Sequence, residues 1–186
     1  MKKVFIIHGY NGTPNGSWLP WLMGELKRQG VYACSLAMPT PADPVCSEWV
    51  KEIARHVDQC KNDDVYLVGH SLGVAAILNY LQSDLATHVI NGVVAVSGRC
   101  IKSDNPKTAG FYGDFDFEKI KKSAEAFAVI HGDNDQIVPF ANGEKLSVAL
   151  GVPLIAIKGG GHFTGSEGCY ALPQAFEALK TILIGK

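Results

Sequence analysis

Six short runs rich in valine and isoleucine recur along the chain, at residues 4–7, 31–36, 65–68, 93–96, 126–130 and 154–157. β-Branched residues suit a pleated, packed surface, so each run predicts a strand. Most are continuously apolar instead of alternating, which is the pattern of strands covered on both faces in a parallel sheet. Between them, residues 18–29, 47–60, 72–82, 140–150 and 172–183 carry apolar positions three and four apart, as at Trp49, Ile53 and Val57. That spacing predicts helices with one buried face. Ser47 before Glu48, and Pro139, mark helix starts; Gly30 and Gly151 mark helix ends.

Strand and helix alternate almost throughout. The predicted architecture is therefore α/β and doubly wound: a mainly parallel six-stranded sheet with helices on both faces. Right-handed crossovers restrict the strand orders available, and 2-1-3-4-5-6 is expected. No internal repeat or flexible linker interrupts the pattern, and 186 residues suit one domain over 1–186. In this order the chain reverses between strands 1 and 3, so a ligand belongs in the crevice beyond their carboxyl ends. There the chain reads His8-Gly9-Tyr10-Asn11-Gly12 after strand 1 and Gly69-His70-Ser71-Leu72-Gly73 after strand 3.

Composition removes several classes. Hydrophobic residues at 47% and charged residues at 19% exclude a mainly disordered chain. Seventeen Lys and Arg against 18 Asp and Glu leave a net charge of -1, with no basic field for nucleic acid or an anionic membrane. No apolar run approaches the ~20 residues of a bilayer span, and two lysines followed by Val4 to Ile7 fall short of a signal peptide. A cytoplasmic protein is expected. Cys34, Cys46, Cys60, Cys100 and Cys169 include no Cys-x-x-Cys pair and read as free thiols of a reducing compartment. Cys169 lies in a late glycine-rich loop, with no neighbouring feature that marks it as a nucleophile. Dinucleotide, P-loop and His-Glu-x-x-His zinc sequences are absent, and the Asp133-Asn134-Asp135 run lacks a third ligand. No cofactor or metal is expected.

Gly69-His70-Ser71-Leu72-Gly73 spells Gly-x-Ser-x-Gly between a predicted strand and a predicted helix. This is the context in which a strained turn projects a serine oxygen outward. A side chain two residues before or after Ser71 would crowd the turn, which accounts for the glycines. Serine alone is a poor nucleophile and needs a base. Among the histidines, His70 flanks the serine but should point elsewhere, His131 ends strand 5, and His56 and His88 read as helix or surface residues. His162 lies in a glycine-rich loop after strand 6.

These motifs resemble the α/β-hydrolase fold family, and within it the small YdeN-like serine hydrolases, a group related to the retinoblastoma-binding protein nine type. The resemblance covers nearly the whole chain. It is carried by His8-Gly9-Tyr10, Gly69 to Gly73, Gly132-Asp133-Asn134-Asp135-Gln136-Ile137-Val138-Pro139 and Gly159-Gly160-Gly161-His162-Phe163. It implies a triad of Ser71 as nucleophile, Asp135 as acid and His162 as base, in that chain order. The family spacing Gly-x-x-Asp-x-x-Val-Pro favours Asp135 over Asp133, which becomes a turn former. It also implies an oxyanion hole from the backbone amides of Tyr10 and Leu72. A cap domain, which many hydrolases of this fold insert after strand 4, has no room before strand 5.

Trp18, Trp21, Phe111, Tyr112 and Phe163 are candidates to line an apolar acyl pocket. With no cap, the cleft should be shallow and should favour small esters over long-chain lipids. The expected function is hydrolysis of small acyl esters through an acyl-enzyme, with a small-molecule substrate as partner. Two alternatives stand beside it. One is a peptidase or amidase on small aminoacyl substrates. The other is a catalytically weak protein-binding module, against which stand the complete triad and the lack of a Leu-x-Cys-x-Glu segment.

Overall fold

The computed structural model describes residues 1–185. Its strands are β1 (Lys2–Ile7), β2 (Tyr32–Leu36), β3 (Asp64–His70), β4 (Gly92–Val96), β5 (Phe127–Gly132) and β6 (Leu154–Ile157). All six form one sheet in the order β2-β1-β3-β4-β5-β6, and every neighbouring pair is parallel. The order read from the sequence is the order found.

The helices are α1 (Leu19–Arg28), α2 (Cys46–Val57), α3 (Leu72–Gln82), α4 (Phe117–Lys122), α5 (Phe140–Leu150) and α6 (Pro173–Ile184). Alternate residues of each strand point to opposite faces, so the sheet divides the core in two. Phe5, Ile7, Leu67, Val93 and Val129 pack with residues of α2, α3 and α5. Val4, Ile6, Val68, Val94 and Ile130 pack with residues of α1 and α6. Both faces of β1, β3 and β4 are buried, which is why those runs read as continuously apolar.

Three local differences have physical causes. The helix predicted from Ser47 begins one residue earlier, with Val45 at its N-cap, and its last turn, Asp58–Cys60, tightens to a 3-10 turn. Pro139 is the N-cap of α5 and not its first residue. α4 was not expected at all. It is six residues long with one buried side chain, Ile120, and so shows no periodicity. Its start is held by Asp116, whose side chain accepts from the Lys119 amide at 3.0 Å. The segment between β4 and β5 thus holds a 3-10 turn, Ala109–Phe111, and this one short helix.

Candidate active site

The carboxyl ends of β1, β3, β5 and β6 converge on one cleft. β3 delivers Ser71 at its end, and α3 starts at the next residue. Ser71 has φ 53° and ψ -117°, a region that costs a non-glycine residue about 1–3 kcal/mol and persists only where its surroundings enforce it. Two constraints do so. The Ser71 amide donates to the Val96 carbonyl at 2.9 Å, which extends the β3–β4 ladder through the turn. The turn is also pressed between elements: a Cβ at Gly73 would lie 2.2 Å from the Ile7 carbonyl oxygen, and one at Gly69 would lie 2.8 Å from the Val74 nitrogen. α3 therefore seats its first turn directly on β1.

His162 reaches the serine from the loop after β6, and Asp135 comes from the turn after β5. Ser71 Oγ donates to His162 Nε2 at 2.9 Å, and His162 Nδ1 donates to Asp135 Oδ2 at 2.7 Å. The other carboxylate oxygen of Asp135 accepts from the amides of Ile137 and Val138 at 2.9 and 2.8 Å. His131 Nε2 lies 3.3 Å from Asp135 Oδ2 while donating to the Val138 carbonyl at 2.8 Å. Burial alone would raise the Asp135 carboxyl, but the hydrogen bonds from His131 and His162 and the Val138 amide outweigh it. They hold the group well below the ordinary carboxylate range. An ionised Asp135 fixes His162 with its proton on Nδ1 and a bare Nε2 facing the serine.

The loop carrying His162 is held from several sides. The Gly159 amide donates to Asp133 Oδ1 at 2.8 Å, and the Gly161 amide to Asn134 Oδ1 at 2.7 Å. The Glu167 carboxylate accepts from the amides of His162 and Thr164 at 3.0 and 2.9 Å and from Thr164 Oγ1 at 2.8 Å. Burial would raise Glu167, yet these bonds lower its pKa. His70 Nε2 donates to the His162 carbonyl at 2.8 Å. Burial and the neighbouring His162 push His70 down to about 4, so it stays neutral.

Asp133 therefore ties the post-β5 turn to the post-β6 loop and does not touch His162. His70, expected to point away, supports His162. His131 and Glu167 were not singled out from the sequence. For Glu167 a signal exists: Thr164-Gly165-Ser166-Glu167 spells a capping box, and both of its reciprocal bonds form. For His131 none does, since its value depends on how the following turn folds.

The amides of Tyr10 and Leu72 donate to no other group among the described residues, and both residues border the space beside Ser71. Leu72 is also the first residue of α3, where the helix dipole favours negative charge. Two amides so placed can receive an oxyanion.

A family model described as serine hydrolase matches residues 4–181. The chain belongs to the serine hydrolase family. It is 35% identical over 180 residues to YdeN of Bacillus subtilis, covering 96% of this chain and 94% of that protein. The crystal structure of the B. subtilis ydeN gene product superposes with a TM-score of 0.92, covering 98% of this chain and 99% of that one, at 35% identity. Est1E from Butyrivibrio proteoclasticus, 20% identical, superposes with a TM-score of 0.75 over 99% of this chain and 87% of its own, a likeness of fold alone. The fold is that of the α/β-hydrolases.

The cleft of this serine hydrolase has two lobes that meet at Ser71. The larger, about 380 Å³, contains His162 and is walled largely by Gly, Ser and Thr residues of the 9–17 and 164–166 segments. The smaller, about 140 Å³, contains Leu72, Arg99 and Tyr112. Tyr10 and Ile137 border both lobes.

The expected aromatic lining is corrected here. Trp18 is fully buried beneath the site, with its ring edge-on to His70 at 5.8 Å. Phe111 packs edge-on against Trp49 at 5.4 Å in the opposite core layer, and Trp21 packs against Phe176. Phe163 is buried in the cluster beneath α1 and α6. Of the five, Tyr112 alone borders the cleft. Trp18, Phe111 and Phe163 were drawn inward because large apolar rings gain most from full burial, while Trp21 is half-buried at the edge of the cluster beneath α1 and α6. All five cysteines are free, and burial and Glu167 push the Cys169 thiol up, away from thiolate reactivity. Among the described residues no helix is long and apolar enough to cross a membrane, and no cluster of His, Cys, Asp and Glu could hold a metal ion.

Proposed function

We propose that the protein hydrolyses small acyl esters, with Ser71 as nucleophile, His162 as general base and acid, and Asp135 as the group that orients His162. The observation that carries this reading is the unbroken hydrogen-bonded chain from Ser71 Oγ through the His162 ring to Asp135 Oδ2, at 2.9 and 2.7 Å. As Oγ attacks the ester carbonyl, its proton passes to Nε2, and the buried carboxylate stabilises the imidazolium that forms.

The carbonyl oxygen becomes an oxyanion beside the free amides of Tyr10 and Leu72. Each such donor is worth about 2.7–4 kcal/mol of transition-state stabilisation. Collapse expels the alcohol, which takes the proton from Nε2. Water then repeats the sequence on the acyl-Ser71 ester and releases the acid. The uncapped cleft, with lobes of about 380 and 140 Å³, favours short acyl chains. The five unpaired cysteines favour action in the cytoplasm.

The test is labelling with a fluorophosphonate probe beside hydrolysis of p-nitrophenyl acetate, butyrate and palmitate and of aminoacyl amides. Wild type should label and cleave the short esters fastest, and Ser71→Ala should lose both activities. Folded wild type that does not label would remove the enzyme reading in favour of a binding module. Faster cleavage of aminoacyl amides would replace the esterase reading with a peptidase.

A further inference from the structure

The chain has three arginines. Arg28 and Arg55 are exposed and paired with Glu25 and Glu52. Arg99, two residues past Ser97 in the loop that follows β4, is half-buried in the smaller lobe. Its Nη2 donates to the Ile137 carbonyl at 3.1 Å, and its guanidinium lies 5.9 Å from the centroid of the Tyr112 ring. Among the described residues it has no carboxylate partner. The ring and the carbonyl hold the guanidinium in place beside the nucleophile, with most of its donors unused.

The two lobes can be assigned to the two halves of a substrate. His162 must hand its proton to the leaving group, so the leaving group lies on the His162 side, in the larger lobe. The smaller lobe contains both oxyanion residues, Tyr10 and Leu72, but not His162, and therefore receives the acyl half. A plain alkyl chain entering it would strip water from the guanidinium without replacing the lost hydrogen bonds, which is costly. A carboxylate would replace them with paired, charge-assisted bonds.

We infer that the acyl half of the substrate ends in a carboxylate bound by Arg99, so that the enzyme cleaves monoesters of short dicarboxylic acids. At about 30 Å³ per water-sized group, a lobe of about 140 Å³ holds a two-carbon spacer and a carboxylate, the size of a succinyl group. Ser103, Asn105 and Thr108 border the same lobe and supply further polar contacts. The inference rests on Ser71 and His162 acting as proposed above. The reaction consumes one water: the ester C–O bond breaks, the alcohol leaves with the proton from His162, and the succinyl-Ser71 ester is hydrolysed to succinate.

The experiment compares monoethyl succinate with ethyl butyrate, in which a methyl group replaces the carboxylate, by ethanol release at equal ionic strength. In wild type, kcat/KM should favour the succinate ester at least about tenfold. The ratio of the two values should fall to one or below in Arg99→Gln and remain partly above it in Arg99→Lys. A wild-type ratio of one or less, or a ratio that Arg99→Gln leaves unchanged, overturns the assignment. Fluorophosphonate labelling of Ser71 is read in parallel. If wild type labels but cleaves neither ester, succinate should protect Ser71 from the probe in wild type and not in Arg99→Gln; no protection also overturns the assignment. Absence of labelling in folded wild type removes the hydrolase reading itself, and the acyl assignment falls with it.

Discussion

Asp135→Asn is the substitution that tests the geometry most sharply. In the native site three donors converge on this carboxylate, the Ile137 and Val138 amides on one oxygen and the His162 ring on the other, and His131 Nε2, which donates to the Val138 carbonyl, lies 3.3 Å from that second oxygen. An asparagine has one accepting oxygen and one donating nitrogen. Turning its oxygen to the two amides keeps the local turn, but then its NH₂ group faces the rings. Turning it the other way sets a donor against two backbone N–H groups and breaks the turn. The first orientation is less costly, and it forces His162 to carry its proton on Nε2, where it can no longer accept from Ser71.

A serine-histidine pair in the wrong tautomer loses about 10⁴ in kcat in the chymotrypsin-type precedent. For this chain we expect a loss of 10³–10⁴, or about 4–5.5 kcal/mol at 1.4 kcal/mol per decade. The assay is kcat/KM on p-nitrophenyl acetate and the rate of fluorophosphonate labelling, with circular dichroism to verify folding. Asp133→Asn is the comparison. Asp133 accepts from the Gly159 amide and makes no contact with His162, so its loss should cost less than about fivefold. Folded Asp135→Asn retaining activity within tenfold of wild type would refute the reasoning, as would Asp133→Asn proving equally damaging.

Glu167→Ala removes the acceptor of two amides and the Thr164 hydroxyl from an exposed position, where each bond is worth the low end of the usual range, about 0.5–1 kcal/mol. Looser placement of His162 should lower kcat about 10- to 30-fold with KM changed less than threefold, and Glu167→Gln should recover part of the loss; an unchanged kcat sinks the positioning role. His70 supplies a pH dependence of stability. Its folded pKa of about 4 lies below the ~6.5 of an unfolded histidine, so between these values the unfolded chain binds more protons and stability rises with pH. Up to about 3 kcal/mol should be lost on acidification from above pH 6.5 to pH 4. His70→Gln, which can still donate to the His162 carbonyl, should shrink the difference between urea midpoints at pH 4.5 and 7; equal differences in the two proteins would exclude this origin.

Much of the site was legible because its determinants are local. Ser71 is identifiable because the glycines at 69 and 73 and the flanking strand and helix belong to one turn, whose steric demands involve neighbours in sequence. His162 and Asp135 came from the family resemblance, whose spacing Gly-x-x-Asp-x-x-Val-Pro falls on Gly132, Asp135, Val138 and Pro139. The supporting contacts were not legible. His70 meets His162 across 92 positions. Whether an aromatic ring faces the cleft, like Tyr112, or the core, like Trp18 and Phe111, depends on which elements cover it, and nothing in its sequence neighbourhood records that. Arg99 is an ordinary loop arginine in sequence; that it has no acidic partner among the described residues is visible only once the folded chain surrounds it.

The sequence by itself determined the alternation of elements, the two-sided burial of the strands, their order and the strand-to-helix turn that carries Ser71. Those properties depend on side-chain periodicity, turn sterics and the handedness of crossovers, which act over a few residues or constrain the topology as a whole. Tertiary structure alone decided the Ser71–His162–Asp135 distances, the bracing of the His162 loop and the division of the cleft into a neutral lobe and one holding Arg99. Each of these depends on where loops from β1, β3, β4, β5 and β6 meet at the sheet's carboxyl edge. Packing of the helices sets that separation to within a few tenths of an ångström, and hydrogen bonds form or fail on that scale.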